Sequence, residues 1–135
     1  MSEPRTAPGA PRPADTTIVV VDDDPLVLTL VERTLRARGY RVWTATRATE
    51  ARQLLAELAG AVDLVLTDVA MPGGLGTDLA RQINSTQEWV RVLLMSSYSR
   101  EDLLNQGTDV PDSRLLQKPF SPADLLGRID AALAT

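Results

Sequence analysis

The stretch Leu64-Val65-Leu66-Thr67-Asp68-Val69-Ala70-Met71-Pro72 admits few folds. An apolar run without polar alternation needs cover on both faces, which is the condition of a strand inside a parallel sheet. The run drives into a carboxylate, and Pro72, Gly73, Gly74 and Gly76 follow within a few residues. Asp68 therefore stands at a strand's carboxyl end, the edge where open parallel sheets collect ligands and chemistry. Taken alone, an Asp at such a place reads first as an N-cap or turn former. Two other places in the chain change that reading.

The first is the start of an alternating pattern. Ile18-Val19-Val20-Val21 is β-branched and apolar, and it ends in Asp22-Asp23-Asp24-Pro25. Asp24 before Pro25 predicts an N-cap and first turn. Val27, Leu28, Val31 and Leu35 give the following helix one apolar face, and Gly39 is its expected C′ residue. Residues 40–44 alternate as strand two. Helix two carries Ala51, Leu54, Leu55 and Leu58 and stops at Gly60. After strand three, helix three is expected over 77–84 and strand four over 90–95, ending at Ser96-Ser97. A short fourth helix over 100–106 is capped by Ser99 and stopped by Gly107. Residues 113–117 read as strand five, which ends at Lys118-Pro119. Ser121-Pro122-Ala123-Asp124 opens helix five as a capping box, with Leu125, Ile129 and Ala132 facing inward. Five strands alternating with five helices predict an α/β, three-layer (βα)5 fold of the flavodoxin-like kind. The expected parallel order is 2-1-3-4-5, with its switch point between strands one and three.

Composition narrows the chemistry. The chain has 135 residues and a formal charge of −4, with no cysteine and no histidine. Thiol, disulfide and imidazole mechanisms are excluded. The acidic balance and the absence of a Lys/Arg cluster argue against a nucleic-acid surface. No apolar run approaches the length of a membrane span, and no secretory signal opens the chain. The expected location is cytoplasmic. Residues 1–15, with Pro4, Pro8, Pro11 and Pro13, read as a disordered or extended tail, linker or junction, and 16–135 as one domain.

The expected topology sets the ends of strands one and three side by side, so Asp22, Asp23 and Asp68 converge. Carboxylates forced together repel, and a divalent cation relieves them. Oxygen ligands select Mg²⁺ or Mn²⁺ over zinc. Lys118 and Ser96 end the two strands beyond, on the same edge. An acidic pair, a central Asp, a hydroxyl and an ammonium form a phosphoryl-transfer site with a carboxylate nucleophile. Asp24 reads as a plain cap, and the Gly73-Gly74-Leu75-Gly76 run as a flexible turn at the rim, because no Lys-Ser/Thr follows it.

The segments VVVDDDP, LVLTDVAMPGGLG, VLLMSSYS and LLQKPFS, in this order, resemble the receiver domain of two-component response regulators. The resemblance covers about 17–133. It implies that Asp68 is the phosphoacceptor and that Asp23, Asp68 and the Ala70 backbone carbonyl hold Mg²⁺ directly, with Asp22 acting mainly through a metal-bound water. It implies that Ser96 is the switch hydroxyl and Lys118 the phosphate-binding lysine, with a cis Lys118-Pro119 peptide. The implied partners are a sensor histidine kinase or phosphotransfer domain, a downstream protein read through helix four, strand five and helix five, and a phosphorylation-dependent second copy. Such a chain is not an enzyme on other substrates; it catalyses its own phosphorylation and autodephosphorylation. The VLLMSSYS and QKPFSPADLL wording is most similar to receivers attached to hybrid histidine kinases. Leu115 stands where the family's switch aromatic usually sits. Ala70 and Tyr98 occupy the places that tune phosphoryl lifetime, and they imply slow autodephosphorylation.

Two rival readings stand beside this one. A haloacid-dehalogenase-like phosphatase also uses an Asp nucleophile with Mg²⁺, and Asp22-Asp23-Asp24 satisfies its DxD pattern literally. Pro25 follows directly, however, and the chain has no room for a cap insertion. A pseudo-receiver would keep the fold as a protein-binding module and carry no phosphate; the intact acidic pair, acceptor and lysine argue against it.

Overall fold

The computed structural model describes residues 12–58, 60–71, 74–86 and 89–134. Five parallel strands form its sheet: β1 (Thr17–Val21), β2 (Arg41–Ala45), β3 (Leu64–Asp68), β4 (Arg91–Ser96) and β5 (Leu115–Gln117). Their order is β2-β1-β3-β4-β5, the expected 2-1-3-4-5. Helices α1 (Pro25–Arg38), α2 (Ala48–Leu58), α3 (Gly76–Thr86), α4 (Arg100–Asn105) and α5 (Pro122–Leu133) follow the strands in turn. The fold is the flavodoxin-like α/β arrangement.

Alternation along the buried strands sends side chains to two cores. Ile18, Val20, Leu64, Leu66, Leu93 and Met95 meet Val31 and Leu35 of α1 and Leu125 and Ile129 of α5. On the other face Val19, Val21, Val65, Val92 and Leu94 meet Leu55 of α2, Leu79 and Ile83 of α3 and Leu103 of α4. Each such aliphatic side chain stabilises the fold by roughly 1.5–3 kcal/mol through burial. β1 and β3 are buried along nearly their whole length, so their continuous apolar runs are a consequence of the central position.

Caps end the helices where the sequence places them. Asp24 Oδ1 accepts from the Leu26 N–H (2.9 Å), and Gly39 takes φ 105° at the end of α1. Both Ser99 and Ser121 complete capping boxes, with Asp102 and Asp124. At the far end of α1, the Tyr40 hydroxyl donates to Asp130 on α5 (2.8 Å), and Arg38 pairs with the same carboxylate.

Several expectations are corrected. Strand five does not begin at residue 113: Asp112–Arg114 form a 3-10 turn, and the Arg114 N–H donates to the Pro111 carbonyl (2.9 Å). Strand two is shifted one residue onward, to Arg41–Ala45. The innermost residues of α5 are Leu125, Ile129 and Leu133, with Ala132 only partly buried. The rim after Asp68 is an antiparallel ladder of Ala70–Met71 with Gly74–Leu75; Pro72 and Gly73 lie outside the described residues. Residues 1–11 of the expected tail also lie outside them, while Pro13–Asp15 form a 3-10 turn.

Candidate functional site

The register of β1, β3 and β4 aligns their carboxyl ends, with Val21 beside Thr67 and Asp68 beside Met95. β1 therefore hands over to Asp22 and Asp23 next to the place where β3 ends in Asp68. One oxygen from each of these three carboxylates lies within 4.8 Å of the others. Asp22 is fully buried, and its Oδ1 accepts from the Asp24 N–H (2.9 Å), which turns the chain into α1. The other oxygen, Oδ2, accepts from Lys118 Nζ (2.8 Å).

Lys118 reaches this point because β5 ends one residue earlier and its own N–H donates to the Ser96 carbonyl (2.7 Å). The Lys118-Pro119 peptide is cis. Nζ also donates to Asp68 Oδ2 at 3.2 Å, so one ammonium bridges two carboxylates on neighbouring strands. The Asp68 Oδ1 receives the Ala70 N–H at 3.4 Å, a weak contact. The geometry thus joins Asp22, Asp23, Asp68 and Lys118, with Ala70 alongside.

Ser96 is held apart. It is buried at the end of β4, and its hydroxyl accepts from the Tyr98 N–H (2.9 Å). No hydrogen bond joins its hydroxyl to the acidic cluster among the described residues. Leu115 lies in the core on the α2–α3–α4 side of the sheet. Tyr98 is about half exposed, at 51%.

The electrostatics follow from this crowding. Burial pushes the Asp68 carboxyl above its ordinary range, and Asp22 adds to the rise, while the Lys118 ammonium and the Ala70 N–H oppose it. For Lys118, burial acts to release the proton, but the hydrogen bonds and charges of Asp22 and Asp68 outweigh it, and the net shift is upward. Three carboxylates against one ammonium leave excess negative charge, which a hard divalent cation offsets. The donor set is all oxygen, so it fits Mg²⁺.

Gly76 is a site residue that sequence reasoning read only as a turn glycine. A Cβ there would lie 2.0 Å from the Asp68 carbonyl oxygen, and the Gly76 N–H donates to the Val69 carbonyl (2.6 Å). The start of α3 is thereby pressed against the backbone of the central Asp. Its signal in the sequence is only a glycine eight residues past that Asp, where a helix begins.

Comparison with known proteins agrees with the geometry. A family model described as response regulator receiver domain matches residues 18–130. The response regulator MprA of a Mycobacterium species is 34% identical over 116 residues, which is 86% of this chain and 50% of that protein. The sensor kinase CckA of Brucella abortus is 32% identical over 105 residues, 78% of this chain and 11% of the kinase. The chain thus spans about half the length of such a regulator and a small part of such a kinase. Among solved structures, the chemotaxis response regulator CheY4 of Vibrio cholerae superposes with a TM-score of 0.75 at 27% identity, covering 87% of this chain and 98% of that one. The receiver domain of the hybrid histidine kinase CckA gives 0.71 at 32% identity, with the same coverage.

Proposed function

The chain belongs to the response regulator receiver domain family of two-component systems, and from that premise we propose that Asp68 accepts a phosphoryl group from the phosphohistidine of a sensor histidine kinase or phosphotransfer domain. The observation that carries this reading is the clustering of Asp22, Asp23 and Asp68, with Lys118 bonded to two of them. An Asp68 carboxylate oxygen attacks phosphorus in line. The new P–O bond forms as the P–N bond breaks, and the donor imidazole leaves with the electron pair. Asp22 and Asp23, with Asp68 and the Ala70 carbonyl, would hold Mg²⁺ (or Mn²⁺), which when bound supplies positive charge for the phosphoryl oxygens. Lys118 already lies on Asp68 and neutralises a second part of that charge. Ala70 carries no group to align an attacking water, which supports a long-lived acyl phosphate.

The added charge beside Ser96 and Lys118 draws their side chains toward the phosphoryl group. Ser96 then gives up the Tyr98 N–H, and the segment leading into α4 is released. This favours a readout through α4, β5 and α5. The relay unit is residues 16–135, with 1–15 as its linker; a downstream protein or a second copy would read the changed face.

Acetyl phosphate with Mg²⁺ tests the reading. The intact chain gains one phosphoryl mass, the gain disappears with chelator and in Asp68→Asn, and phenyl phosphate esters are not turned over. Absence of any modification favours the pseudo-receiver, and turnover of the esters favours the phosphatase.

A further inference from the structure

The chain is acidic overall, but its charge is divided. Residues 33–52 hold six of the fourteen basic residues and one of the eighteen acidic ones, so this segment carries +5 against −9 for the rest. The segment runs from the second half of α1 through β2 into α2 and so wraps one edge of the sheet. Arg38 turns away to Asp130, and Arg52 to Gln82 on α3. No ion pair joins Arg33, Arg41 or Arg47 to a described residue, and all three are exposed.

β2 is an edge strand. The Arg41 N–H donates to the Thr16 carbonyl (3.0 Å), and the Ala45 carbonyl accepts from the Asp22 N–H (3.1 Å). Alternate residues of a strand turn their backbone groups to opposite sides, so Val42 and Thr44 turn theirs outward. Arg36 bends over this edge and donates to the Val42 carbonyl (2.7 Å). Arg41 and Trp43 share a face of β2, and Trp43 is 47% exposed. The Val42 N–H, the backbone groups of Thr44, an exposed indole and the Arg41 and Arg47 guanidinium groups, which make no ion pair among the described residues, therefore lie along one edge.

We propose that the β2 edge binds an extended acidic segment of a partner polypeptide, laid beside the strand. The outward Val42 N–H and the outward backbone groups of Thr44 match a peptide main chain, and Arg41 and Arg47, which flank them, match its carboxylates; Arg36 is already engaged by Glu32 and the Val42 carbonyl. The −9 carried elsewhere opposes extended anions such as polyphosphates and anionic membranes, which would reach beyond the +5 segment, whereas a short acidic strand stays within it. Two copies of this edge would set like charges against each other, so a second copy of the chain fits poorly. The proposal is independent of phosphoryl transfer at Asp68.

The test uses the full chain carrying Trp89→Phe, which leaves Trp43 as the sole tryptophan. The probe is a peptide of alternating Glu and Thr. Its expected effects are saturable change in Trp43 emission and shifts of the Val42 and Thr44 amide signals. Paired Arg41→Glu and Arg47→Glu substitutions should weaken binding by roughly tenfold or more with the circular dichroism spectrum unchanged, and added salt should weaken it as well. Absence of saturable binding overturns the proposal, as does equal binding of a peptide with Lys in place of Glu. So does a footprint away from β2. Capture of duplex DNA or phosphatidylserine vesicles without the Glu peptide overturns it in favour of a polyanion surface. Concentration-dependent dimer formation without peptide binding overturns it in favour of self-association.

Discussion

Asp22 has no exposed surface, and Lys118 supplies the charge that makes its burial tolerable. Lys118→Ala would leave a buried carboxylate uncompensated, which costs about 3–5 kcal/mol. Chemical denaturation in chelator should show that loss. Mg²⁺ should restore a substantial part of it, since a cation that binds the native state stabilises by mass action. An equal loss with and without Mg²⁺ would mean that the metal and the lysine do not share these carboxylates. Gly76 makes a different demand, for space. A Cβ there would fall on the Asp68 carbonyl oxygen, so Gly76→Ala must move backbone on one side or the other. Overpacking of this kind costs about 1–3 kcal/mol. Urea denaturation should show that cost and calorimetry a weaker Mg²⁺ affinity, because the displaced atoms belong to Asp68 itself.

Among the elements, α4 is the least anchored. It has six residues, and Leu103 is its single buried one. Ser99 with Asp102 closes its start, and Arg100 Nε donates to the Val110 carbonyl (2.8 Å). Ser99→Ala should weaken α4 locally by about 1 kcal/mol. Hydrogen exchange should then show faster exchange at residues 101–105 and unchanged protection in β3 and β4. The elements also show why the sequence was legible. β1 and β3 are covered on both faces, so burial wrote a continuous apolar run into each, as the central strands of a parallel sheet require. Asp22, Asp23, Asp68 and Lys118 were legible because each ends a strand or follows one within two residues, and parallel strands end on one edge. The start of β5 was not, because residues 113–114 leave the ladder for local bonds in the 3-10 turn. Nor was the short ladder of Ala70–Met71, which depends on pairing with Gly74–Leu75 rather than on a pattern of its own. The close approach of Gly76 lies in tertiary contact, and a glycine written for space looks like a glycine written for a turn.

For the whole molecule, charge couples fold to function. Burial raises the Asp68 carboxyl, so its ionised form opposes folding when no cation is bound. The sign follows from linkage: a folded-state value above the unfolded one gives stability that is fully present at low pH and lost as pH rises through the folded value. Asp68→Asn should therefore melt a few degrees higher than the parent at neutral pH in chelator. The difference should shrink as pH falls through the carboxylate range, and thermal melts across pH will show it. Lys118, also raised, has its contribution present below the ordinary lysine range and lost as pH rises through its folded value. A cation reverses the Asp68 penalty, so stability, metal binding and readiness to accept phosphate should all depend on the same three carboxylates. Calorimetric titration with Mg²⁺ measures this most directly. One ion per chain is expected, with affinity reduced roughly tenfold or more in Asp23→Asn and again in Asp68→Asn, about 1.4 kcal/mol each. Unchanged affinity in both variants, or no binding to the parent chain, would contradict the shared metal site on which the account is built.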